Sequence, residues 1–184
     1  MQNVIIKKAV ILLGSSGGLE GSSKTSKAEN LCEEFASSVI EETLLAVKWP
    51  FALKRIDNIE GESGVFKEIP EVNDCLKVAV IAPSNLEWYV EGEKIYFKGK
   101  HLSSIFYYPK MVLAGLLNND SSITCLVPES FRLLAALSLA SQVSFATYAD
   151  SIFTDGLKKQ YLIKLDEVRR IYSVDYNIIN SAML

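Results

Sequence analysis

The residues with the clearest chemical potential are Gly14-Ser-Ser-Gly-Gly-Leu-Glu-Gly-Ser-Ser-Lys-Thr. Small residues let backbone amides close around an anion at a helix N-terminus, and the hydroxyls of Ser22, Ser23 and Thr25 add donors. Gly14, Ser15, Ser16, Gly17, Ser22, Ser23 and Thr25 are therefore candidate phosphate contacts, although the spacing matches neither Gly-x-Gly-x-x-Gly nor Gly-x4-Gly-Lys-Ser/Thr. The second concentration is aromatic: Trp88, Tyr89, Tyr96 and Phe97, followed by Phe106, Tyr107 and Tyr108. Large rigid rings grouped on an insertion are typical of protein-binding surfaces, because they release much water at small entropy cost. The opposing expectation is that strand alternation buries Trp88 and Val90 and leaves Tyr89 and Tyr96 outside. The single histidine, His101, lies among Lys98, Lys100 and Lys110 and reads as a surface residue. Cys125 falls in an apolar stretch, where a thiol is inert, and neither it nor Ser15 has an identifiable base. No catalytic set can be assembled, which favours a non-enzymatic role.

These residues need elements to hold them. Val4 to Leu13 is dense in β-branched residues and reads as a strand buried on both faces. Ser26-Lys-Ala-Glu29 matches a capping box that opens a helix with Leu31, Cys32, Phe35, Ala36, Val39, Ile40, Leu44 and Val47 on one face, closed by Pro50. Strands are expected at 51–59 and 77–82, separated by a polar connection holding Gly61, Gly64 and Pro70. Trp88 to Phe97 reads as a β-hairpin turning at Glu91-Gly92. A helix is expected over 102–117, strands over 122–127 and 143–149, and helices over 128–142 and 157–172, with 175–184 a loose tail. Alternating strand and helix predicts a three-layer α/β fold: a single domain over 1–184 with a mostly parallel, Rossmann- or flavodoxin-like sheet and a β-hairpin insertion.

The order of strand, Gly-Ser-x, Ser23-x-Thr25 and helix resembles the opening loop of flavodoxin-like flavin reductases. The resemblance covers about twenty-five residues and implies FMN, or another nucleotide, with its phosphate in this loop. A later glycine-rich flavin-edge loop has no counterpart, since the strand at 77–82 runs into Pro83-Ser-Asn-Leu-Glu-Trp. The chain also resembles nucleotide-sensing Rossmann-like domains that set a cation before a late helix, a place held here by Arg132, although Pro128-Glu129-Ser130 lacks the glycines of such loops. A competing reading makes 14–23 a Gly/Ser linker that joins an appended peptide, residues 1–13, to the domain. That peptide would then be a strand added to a sheet edge.

Composition limits the partners. With 184 residues, 49% of them hydrophobic, and 19 basic against 22 acidic side chains for a net charge of −3, the chain can bury one core and has no broad phosphate-attracting field. Nucleic-acid and membrane partners are not expected. Three widely spaced cysteines fit buried thiols in a reducing, cytoplasmic compartment. The favoured function is a protein-binding or assembly module, acting on a protein partner or a second copy through the aromatic hairpin and a sheet edge. The alternative is a phosphate-ligand protein, a flavin reductase or nucleotide sensor.

Overall fold

A computed structural model describes residues 1–14, 22–148 and 151–181, with the side chains of 22–25, 148, 151 and 173–181 outside the description. The chain divides into two compact units, Met1–Val47 with Gly115–Leu184, and Lys48–Ala114.

The first unit is helical. Helices α1 (Gln2–Gly14), α2 (Ser22–Ala46), α5 (Glu129–Tyr148) and α6 (Ser151–Ser181) pack together, with the single turn α4 (Ser121–Thr124) between α3 (Lys110–Leu117) and α5. Helix α5 is the hub, touching α1, α2 and α6. It buries Phe131, an unbroken run from Leu134 to Ala140, and Val143. Over that run every side of the helix is enclosed by its neighbours. Polar bonds fix its surroundings: Ser144 Oγ donates to Thr154 Oγ1 at 3.0 Å, and Lys8 pairs with Glu129 at 2.6 Å. Arg169 Nε donates to the carbonyl of Ala46 at 3.1 Å, placing a cation on the unsatisfied C-terminal end of α2.

The second unit carries every strand among the described residues. They are β1 (Lys54–Glu60), β2 (Phe66–Glu68), β3 (Cys75–Ala82), β4 (Glu87–Glu91), β5 (Lys94–Lys98) and β6 (His101–Pro109). They form two three-stranded sheets, ordered β1-β6-β3 and β2-β5-β4, with all pairs antiparallel. Ile59, Cys75, Leu102, Ile105 and Tyr107 from the first sheet and Ile95 and Phe97 from the second close one core with Ile69 and Val72. Gly61 is required where the sheets meet: a Cβ there would lie 2.1 Å from the Gly99 carbonyl and 2.7 Å from the Phe97 ring.

Two antiparallel sheets with six helices overturn the expected Rossmann-like parallel sheet. Parallel strands need crossovers of a dozen or more residues, whereas β3 to β6 follow one another through short turns. The strand expected at Val4 to Leu13 is α1, whose buried Ile5, Ala9 and Leu13 repeat every four residues. The strand expected at 122–127 is α4 and the turn after it, and that at 143–149 continues α5 as far as Tyr148. The helix expected from 102 begins instead as β6, with α3 following only at Lys110. Helix α2 opens at Ser22, so Ser26 lies inside it and is not its cap. Backbone helix in α6 also reaches into the expected tail, as far as Ser181. No helix of the described residues is long and apolar enough to cross a membrane.

Candidate functional site

The hairpin β4–β5 forms as the sequence predicts, with Gly92 at φ +62°, the positive value that the primed hairpin turns require at their first central position. Its register places Glu87 opposite Lys98, Trp88 opposite Phe97, Tyr89 opposite Tyr96, Val90 opposite Ile95 and Glu91 opposite Lys94. Directly opposed residues share a face, so Tyr89 and Tyr96 lie on one side and Trp88, Val90, Ile95 and Phe97 on the other. Strand β2 extends the first of these faces, pairing Phe66 with Lys98 and Glu68 with Tyr96.

The Tyr89/Tyr96 side is a solvent-facing aromatic ladder. The two tyrosine rings stack at 5.0 Å and 9°, and Phe66 meets Tyr89 edge-on at 5.0 Å and 70°. Phe66 and Tyr89 keep 41% and 40% of their surface exposed. Charges frame the rings: Lys94 pairs with Glu68 at 2.9 Å, Lys98 pairs with Glu87 at 3.1 Å, and the Lys98 ammonium lies 5.7 Å from the Phe66 ring centroid. The Tyr96 hydroxyl donates to Glu68 Oε2 at 3.3 Å. The Lys94 hydrogen bond holds the Glu68 carboxyl below its ordinary pKa, and Glu68 in turn raises Lys94. Desolvation, followed by the charge of Glu68, raises the Tyr96 phenol. The rings are thus stacked and flanked by paired charges, which offers a partner apolar area already ordered for contact.

Among the four residues expected at a partner surface, Tyr89 and Tyr96 lie together on this ladder. Trp88 is 40% exposed on the opposite face, and Phe97 is 0% exposed in the core between the sheets. The expectation that Trp88 and Val90 are buried also fails, since every residue of β4 is exposed. Phe66, Glu68, Lys94, Lys98 and Glu87 join the site through register alone. Phe66 sits in the stretch that glycines and a proline mark as a polar connection, and its cue was only a lone aromatic between Val65 and Lys67.

Most of the expected phosphate loop lies outside the described residues. Gly14 ends α1, Ser22, Ser23 and Thr25 fall in the first turn of α2 with their side chains outside the described residues, and Ser15, Ser16 and Gly17 lie outside them altogether. The unit that would place an FMN or nucleotide phosphate there needs a preceding strand, and a helix stands in its place. Arg132 is engaged locally, with Nη2 donating to the Thr124 carbonyl at 3.1 Å and Nη1 3.6 Å from Glu129. His101 is exposed at the start of β6, opposite Glu60 in register. Cys125 is exposed rather than buried in a strand, its Sγ donating to the Ser122 carbonyl at 3.4 Å. Cys32 and Cys75 are buried, and desolvation pushes both thiols up to about 11.

No protein-family model matches the chain, and no curated protein matches it in sequence.

Proposed function

We propose that this chain is a protein-binding module whose contact surface is the β4–β5 hairpin. The observation that carries the reading is the ladder of Phe66, Tyr89 and Tyr96, in which Tyr89 contacts both other rings on the solvent side of a sheet. Leaving apolar surface in water forgoes about 25 cal/mol for each Å² that burial would recover. A partner that covers these rings recovers that free energy, and the existing stack lowers the ordering cost of binding. The flanking ion pairs supply a polar rim around an aromatic centre, the arrangement that concentrates binding energy in a few residues.

Retention from a native extract tests this. Immobilised wild-type chain is compared with a Tyr89→Ala, Tyr96→Ala chain. A protein retained by the wild type should be depleted by about tenfold or more on the variant, since each lost interface tyrosine costs about 1 kcal/mol or more. Equal retention on both would remove the ladder from the interface.

A further inference from the structure

We infer that the open edge of β4 docks an extended segment of another protein in the pattern basic, apolar, any residue, apolar, basic. This rests on the hairpin being an interaction surface and adds which backbone is recognised and what chemistry the partner carries.

Within its sheet β4 pairs only with β5, and all five of its residues are exposed. A two-residue turn joins Glu91 to Lys94, so that pair closes the ladder with reciprocal backbone bonds. By alternation, Tyr89–Tyr96 and Glu87–Lys98 do the same, and the N–H and C=O groups of Trp88 and Val90 aim away from β5. Two donors and two acceptors therefore line the outer edge, as strand addition requires.

Side-chain chemistry selects the occupant. Glu87 and Glu91 lie at the two ends of β4 on the Tyr89 face, and Trp88 and Val90, each 40% exposed, lie on the other. Glu91 forms no ion pair among the described residues, and the Glu87 side chain remains 67% exposed beside Lys98. An added strand meets acids at both ends and apolar side chains at the positions between. The chain already contains one solution to that pattern: β5, Lys94-Ile-Tyr-Phe-Lys98, fits β4 residue for residue on its inner edge. A second copy of β4 does not fit. The antiparallel register that pairs all five residues sets Glu87 against Glu91 of the other copy at both ends, and directly opposed like charges destabilise a sheet.

The probe is the peptide Lys-Ile-Tyr-Phe-Lys, acetylated and amidated, titrated into ¹⁵N-labelled full chain. Amide shifts should centre on Trp88 and Val90. Affinity should exceed that for Glu-Ile-Tyr-Phe-Glu by about tenfold or more, and should fall as salt rises from about 50 mM to about 500 mM. Val90→Pro removes an outward N–H while sparing the bonds to β5, and should abolish the shifts. Should that variant fold poorly, Glu91→Lys keeps the test decisive by weakening the basic peptide and favouring the acidic one. The inference is overturned by equal binding of the two peptides, by no binding at about 1 mM, by shifts away from β4, or by a β4-to-β4 dimer in sedimentation. If the basic peptide fails while the Tyr89→Ala, Tyr96→Ala chain still loses its retained protein, the hairpin remains an interaction surface and the edge assignment alone falls.

Discussion

Phe97 and Tyr89 are near neighbours in the β4–β5 ladder but point to opposite faces, so truncating each separates the core from the proposed docking surface. Phe97 is 0% exposed, and its ring closes on Gly61 where the two sheets meet. Phe97→Ala removes a fully enclosed ring and leaves a cavity, a loss of about 3–5 kcal/mol. Tyr89 is 40% exposed and holds two ring contacts at 5.0 Å, to Phe66 and Tyr96. Tyr89→Ala therefore costs about 1 kcal/mol, the scale of cross-strand aromatic pairs. Both tryptophans, Trp49 and Trp88, belong to Lys48–Ala114, so intrinsic fluorescence in urea reports on that unit. At a slope of about 1.5 kcal/mol per molar urea, a difference of about 2 kcal/mol or more separates the two midpoints by at least about 1 M. Equal shifts would refute the assignment of the two faces, and a larger loss for Tyr89→Ala would reverse it.

Three further outcomes follow from the same packing. In α1, Ile5→Asp places an unpaired carboxylate among buried residues and should cost several kcal/mol of helical stability by circular dichroism, whereas Ile11→Asp, at 67% exposure, should stay within about 0.5 kcal/mol. The Glu68 carboxyl is held down by Lys94, so its contribution is present above the ordinary glutamate value of 4.5 and fades as pH falls through a lower midpoint; Lys94 is raised by Glu68, so its share is present below 10.5 and fades at higher pH. A carbon-detected NMR titration should find Glu68 titrating below 4.5, and a midpoint at or above that value would contradict the pairing. Cys125 should react with a thiol reagent in the folded chain, while Cys32 and Cys75, buried with thiols at about 11, should react only on unfolding; three equal rates would refute the burial assignment.

The hairpin was legible in the sequence because three signals agreed: aromatic and β-branched runs, their alternation, and a glycine at the turn. The strand expected at 77–82, which starts two residues earlier at Cys75, and the cores of α2, α5 and α6 were legible for similar reasons of period and length. Residues 4–13 were not, because an apolar segment of that size satisfies a buried strand and a buried helix face alike; packing against α5 and α2 decides for the helix. The end of α5 misled in the same way, since Val143-Ser-Phe-Ala-Thr-Tyr148 is β-branched and aromatic enough to satisfy a short strand. Strand β6 misled in reverse, with Ser104 to Pro109 buried continuously and no alternation to betray a central strand. Of the aromatic ladder, the tyrosine pair was readable from alternation. The contributions of Phe66, Glu68 and Lys98 were not, because they depend on β2 finding its place beside β5, a long-range pairing with no local signature.

The most direct test of the hairpin as an interaction surface is site-specific photo-crosslinking from the aromatic ladder in native extract. A photoreactive phenylalanine analogue replaces Tyr89, and a matched control replaces exposed Lys77 on β3. The proposed surface should give a discrete protein adduct from position 89, competed away by excess unlabelled wild-type chain and absent from position 77. No adduct at 89, or the same adduct from both positions, would contradict it.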